Sequence, residues 1–271
     1  MVLSGRNVRF GVLIAAFGFA QFGLATGALA AGAGVSPPTM SMLFDATGDD
    51  LDLVDYDPAD PTYGTVTPFT GALPPGLMGT YTNGNFQWLG YLEYAGPMGG
   101  ENPLWTIEWD VIANADPFVI NAFTVTNNMP TTEFFTLTVL MPIAPIAMQT
   151  VMNGSIGGSV TDNNGNDATV STMTGTSMYE ASIDGSVVRT LLDDPISATA
   201  GGPFLSGGIG PDSFLGETGP FALSTIAVTV NFLLSPGDSA SFTAIFEVEI
   251  PGPAGLALLA VGGLISRRRR R

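Results

Sequence analysis

With no histidine, no cysteine and no lysine, this 271-residue chain must draw any chemistry it performs from carboxylates. Ser-His-Asp and Cys-His nucleophiles, haem ligation by His or Cys and the common zinc sites are excluded. So are the phosphate-binding lysine of a P-loop and any Schiff base. Glycoside hydrolysis survives, because it needs only two carboxyl groups about 5 to 10 Å apart. Glu108 and Asp110 meet that spacing: two apart on one strand face, their side chains would stand about 7 Å from each other. Trp88, Trp105 and Trp109 lie nearby in the sequence and could stack on sugar rings. One reading is therefore a secreted carbohydrate-binding module or glycoside hydrolase built on Glu108, Asp110 and the three tryptophans. The other groups Trp105 and Trp109 with Ile107 and Val111 on one apolar face, which makes them core and leaves Glu108 and Asp110 on the wet face of a structural strand. We adopt the second reading, assign no catalytic residue and expect a non-enzymatic protein.

Carboxylates also hold hard cations. Calcium takes six to eight oxygens, and closely spaced aspartates can supply several from one loop. Asp45, Asp49, Asp50 and Asp52 open an acidic run that continues through Asp55, Asp57 and Asp60, with Pro58 and Pro61 as breakers. Asp162, Asn164 and Asn166 match the first three ligand positions of a calcium loop, but Asp167 stands where the sharp turn needs glycine and no helical pattern flanks the segment. The first stretch reads as a solvated acidic loop. The second reads as a hairpin turn of residues that tolerate left-handed backbone. Calcium at these seven residues is the one cofactor the sequence offers, and it is the alternative to those readings.

The elements that must carry these residues are strands. Trp105, Ile107, Trp109 and Val111 alternate with Thr106, Glu108 and Asp110, the period of a half-buried strand. Phe123 and Val125 continue the pattern until Asn127-Asn128-Met129-Pro130 breaks it, and Phe135, Leu137, Val139 and Met141 resume it. Ile226, Val228, Val230, Phe232 and Leu234 line one face before Ser235-Pro236-Gly237-Asp238 turns the chain into Phe242, Ala244, Phe246 and Val248. Residues 150–222, rich in Gly, Ser, Thr and Asn, read as short strands joined by long loops. Within them Gly202-Pro203-Phe204 and Gly219-Pro220-Phe221 echo each other without making a repeat. The expected fold is all-β, an antiparallel β-sandwich, with residues 31–104 as its acidic, loop-rich N-terminal part and 105–250 as its body.

Both ends of the chain read as targeting segments. Arg6 and Arg9 precede the apolar stretch from Phe10 to Ala20, and Ala28-Leu29-Ala30 places small residues at the two positions a signal peptidase inspects. Residues 1–30 are thus a signal peptide cleaved after Ala30, handed to the Sec machinery and signal peptidase. At the other end, Pro251-Gly252-Pro253 is followed by twelve small or apolar residues, Ala254 to Ile265, then Ser266 and Arg267, Arg268, Arg269, Arg270 and Arg271. As a helix, 254–265 would be roughly 18 Å long, a marginal span of a hydrocarbon core of about 30 Å. The arginines stop translocation and hold the tail in the cytoplasm. Gly255, Gly262 and Gly263 lower helix propensity, which suits a transient anchor better than a lasting one. Without these ends the body keeps Arg189 as its one basic residue against 24 acidic ones, a net charge of −23. Such a body repels nucleic acid and favours saline surroundings, where the Debye length falls to about 10 Å at 0.1 M.

The three-part C-terminus resembles the PEP-CTERM sorting signal of bacterial envelope proteins, with Gly252 where the namesake glutamate would stand. The resemblance implies that an exosortase-type membrane protease removes residues 251–271, that the protein is tethered briefly in the inner membrane, and that it then resides at the cell surface or in an extracellular matrix associated with exopolysaccharide. More loosely, Asp116-Pro117-Phe118 to Val139, with Leu234-Ser235-Pro236-Gly237-Asp238-Ser239 to Val248, is similar to the secreted β-sandwiches that precede this signal. That likeness implies an Ig-like or related sandwich and supplies no site.

Overall fold

Wherever the sequence alternates with period two, the chain is extended. The structure, a computed structural model, describes residues 39–45, 80–82, 85–94, 103–114 and 117–250. Among these residues there are fourteen strands and no helix, and the strands form two antiparallel sheets. The first sheet contains β1 (Thr39–Asp45), β6 (Glu133–Pro142), β8 (Ala168–Ser171), β9 (Ser177–Ile183), β10 (Ser186–Asp193), β11 (Ser197–Ala200) and β13 (Thr225–Leu234). The second contains β2 (Thr80–Thr82), β3 (Asn85–Tyr94), β4 (Trp105–Asn114), β5 (Phe118–Asn127), β7 (Thr150–Thr161), β12 (Ser206–Gly219) and β14 (Ser239–Glu249). In the first sheet β6 lies between β1 and β13, and the other side of β13 is shared by β9 and β8, which carry β10 and β11 outward. The second runs β12-β7-β14-β5-β4-β3-β2. The acidic N-terminal part therefore contributes an edge to each sheet, β1 to the first and β2–β3 to the second.

The inner faces of the two sheets share one core. On β4 Trp105, Ile107, Trp109 and Val111 are buried while Glu108 between them is exposed. Phe232 of β13 meets Phe242 of β14 at 4.9 Å and Phe123 of β5 at 6.2 Å between ring centroids, and stacks on Phe135 of β6 at 5.5 Å. Each such ring contributes about 1.5 to 3 kcal/mol of burial. Tyr179 of β9 lies across the gap as well, and its buried hydroxyl donates to the Ile245 carbonyl of β14 at 2.8 Å. Burial pushes this phenol well above its ordinary pKa.

Residues 150–222 depart from expectation. They hold the two longest strands among the described residues, β7 with 12 residues and β12 with 14. The glycines that read as loop are room for aromatic rings. A Cβ on Gly154 would lie 2.5 Å from the Phe214 ring and 2.6 Å from the Tyr179 hydroxyl, and one on Gly158 would lie 2.5 Å from the Phe242 ring. Asp162 to Asp167, expected to close a hairpin, instead crosses from β7 in one sheet to β8 in the other. Its turn chemistry is as expected, with Gly165 and Asp167 both at positive φ, but turn residues do not encode which sheet receives the next strand.

Candidate functional site

β3 and β4 pair antiparallel, which sets Tyr91 opposite Glu108 and Leu89 opposite Asp110. Glu108 is exposed and Asp110 half-buried on the outer face, where Asp110 accepts a hydrogen bond from the Gln87 amide at 3.2 Å. Beside them the Tyr91 hydroxyl donates to Glu93 at 2.6 Å. That bond, then desolvation and the charges of Glu93 and Glu108, raises the Tyr91 pKa. The tryptophans point the other way. Trp88, Trp105 and Trp109 are at most 2 % exposed. Trp88 meets Trp109 edge to face at 5.4 Å, and Trp109 lies over Gly90, where a Cβ would come within 2.0 Å of its ring. Trp88, Trp105 and Trp109 therefore form no sugar platform beside Glu108 and Asp110. The thickness of the sheet separates the two groups, because neighbours on a strand face opposite sides.

Asp162, the residue after β7, is fully buried, and its carboxylate is spent on the backbone. Oδ1 accepts from the Gly165 and Asn164 N–H groups at 2.6 and 3.1 Å, and Oδ2 from that of Asp167 at 3.3 Å. Burial opposes the charged form, but these donors, with that of Gly202, outweigh it and hold the carboxyl below its ordinary pKa. Asn164 Oδ1 accepts from the Asn166 N–H, and the Asn164 amide donates to the Pro236 carbonyl at 2.9 Å. The Asn163 amide donates to Ser239 Oγ at 2.6 Å, and its N–H to Asp238 Oδ1 at 3.2 Å. Asp162 thus turns its carboxylate on the loop's own backbone, while the amides of Asn164 and Asn166 both donate to the Pro236 carbonyl of the 235–239 turn. Among the described residues no three acidic side chains gather as a metal group. Asp45 closes β1 opposite Phe134, and Asp49, Asp50 and Asp52 lie outside the described residues.

Asp184, not among the residues singled out above, anchors a second turn. Asp184 and Gly185 both have positive φ and join β9 to β10 in a two-residue hairpin, for which an Asp-Gly pair is a strong local signal. The Asp184 carboxylate accepts from the Leu223, Ser224 and Thr225 N–H groups at 2.8, 2.7 and 3.0 Å and from the Ser224 hydroxyl at 2.8 Å. Desolvation works against the charge, but these donors bring the pKa down to about 2. The carboxylate thereby fixes the crossover from β12 to β13. Arg189 pairs with Glu217 at 3.3 Å across β10 and β12, and both are well exposed, so the pair is worth little in stability. Ala28, Ala30, Pro251, Gly252, Pro253 and Arg267 to Arg271 lie outside the described residues. No protein-family model matches the chain, and no curated protein does.

Proposed function

We propose that this chain is an exported, non-enzymatic β-sandwich protein of Ig-like or related type, sorted by an exosortase-type C-terminal signal to the cell surface or extracellular matrix. The observation that carries the reading is the three-part C-terminal sequence: Pro251-Gly252-Pro253, the apolar stretch 254–265, then five arginines. The signal peptide at the other end supplies the matching route through the Sec machinery. Further support comes from β14, which runs to Glu249, so that the folded body reaches to within one residue of Pro251. Two prolines at that point cannot donate to a ladder, which keeps the motif from extending the strand. Association with exopolysaccharide follows from the family resemblance, and a body of charge −23 leaves nucleic acid aside as a partner.

The test is processing in a cell that carries the protease. Replacing all five arginines with glutamine removes the stop-transfer charge and should impair membrane retention and hence clipping. Replacing Pro251 and Pro253 with alanine should leave insertion intact and block clipping. Normal processing of both variants would contradict the proposal.

A further inference from the structure

Two crossovers meet at one end of the molecule. The segment between β6 and β7 and the segment between β12 and β13 are joined by a bridge between Ile146 and Ala222, whose N–H and C=O groups exchange hydrogen bonds. Burial of Ala222 turns its neighbours Phe221 and Leu223 outward, 57 and 53 % exposed, and Met148 on the other crossover is 49 % exposed. Gln149, Gly219, Pro220 and Phe221 line an open groove there. No charged residue occurs between Glu133 and Asp162 or between Glu217 and Asp238, the two stretches that supply these crossovers, and the acids flanking them are Glu217 of β12 and Glu249 of β14. Asp184, the nearest acid on the first sheet, has its carboxylate on the Leu223–Thr225 backbone.

The same end is where the chain leaves the fold. Glu249 of β14 pairs with Val151 of β7, which pairs with Thr218 of β12. Ile250, 41 % exposed, therefore emerges two strands from Gly219, about 10 Å away. From Ile250 to Ala254 the chain can reach at most about 14 Å. We propose that the apolar side chains of this end, Phe221, Leu223, Met148 and Ile250, lie on the lipid surface while residues 254–265 are in the membrane, and seat the body against the bilayer. The inference rests on the sorting reading above, because that segment is what holds this end within reach of lipid. The uncharged crossover segments can enter the interface, whereas the acidic groups of the body would be repelled by anionic headgroups.

The absence of cysteine makes single-site labelling clean. Full-length chain carrying Gln149→Cys or Ser206→Cys, each labelled with an environment-sensitive nitrobenzoxadiazole, is reconstituted with vesicles of phosphatidylethanolamine and phosphatidylglycerol. Ser206 marks the far end, opposite Thr161. The probe at 149 should shift to the blue and be quenched by nitroxide-labelled lipid, while the probe at 206 should do neither. Adding Phe221→Ser with Leu223→Ser should abolish the shift at 149 without preventing flotation with the vesicles. A chain that floats while the probe at 149 stays aqueous overturns the docking inference and leaves the sorting reading standing. A chain that does not float overturns both. Shielding of the probe at 149 without vesicles assigns the surface to a second copy or another segment and also overturns it.

Discussion

Asp184 shows how much one carboxylate can organise in a body with a single basic residue. Its four hydrogen bonds all favour the charged form, so the folded pKa of about 2 lies below the ordinary 3.8. The resulting stabilisation is present in full above the ordinary value and is lost as pH falls through about 2. Asn can adopt the same left-handed backbone, so Asp184→Asn removes the charge and spares the turn. We expect it to lower stability at pH 7 by about 1 kcal/mol, screening at this exposed site included. The gap to the unaltered protein in denaturant melts should close as pH is brought toward 2, and a gap independent of pH would count against the assignment. Asp162 makes the complementary case. Because its oxygens accept from loop N–H groups, Asp162→Asn should lower the melting temperature by the same amount in EDTA and in millimolar calcium. A larger loss in calcium would place a cation at that loop.

At the scale of elements, the glycines of β7 decide packing. Gly154→Ala and Gly158→Ala should each destabilise by about 1 to 3 kcal/mol, the cost of overpacking a filled core. Gly208→Ala, where a Cβ would meet nothing within 4 Å, should be neutral or slightly stabilising. Equal midpoints for Gly158→Ala and Gly208→Ala in urea melts would contradict this packing. These glycines also mark where the sequence stops being legible. β4, β5, β6, β13 and β14 are readable because large side chains alternate with polar ones, and the strand around Trp105 and Trp109 could be divided into inner and outer faces from residue order alone. In β7 the inward positions Gly154 and Gly158 carry no side chain, and the apolar partner comes from Phe214 or Phe242 on another strand. Composition then looks like loop although the backbone is sheet. The Asp162–Asp167 turn was legible as a turn and not as a crossover, since its destination is set by β8 pairing with β11 and β13 far along the chain. The hydrogen bonds that occupy Asp162 were hidden because their donors are backbone groups, which no side-chain pattern displays.

The whole molecule combines an acidic two-sheet body, an exposed apolar patch beside Ile250, and two terminal segments whose composition belongs to membranes. Neither terminal segment is expected to remain in the mature protein. The most direct measurement is intact-mass spectrometry, with sequencing of both ends, on protein recovered from cells that possess the processing protease. The expected mature chain begins at Ala31 and ends between Ile250 and Pro253, without Arg267 to Arg271. Recovery of a main form that retains all five arginines would contradict this expectation and leave a plain membrane-anchored surface protein in its place.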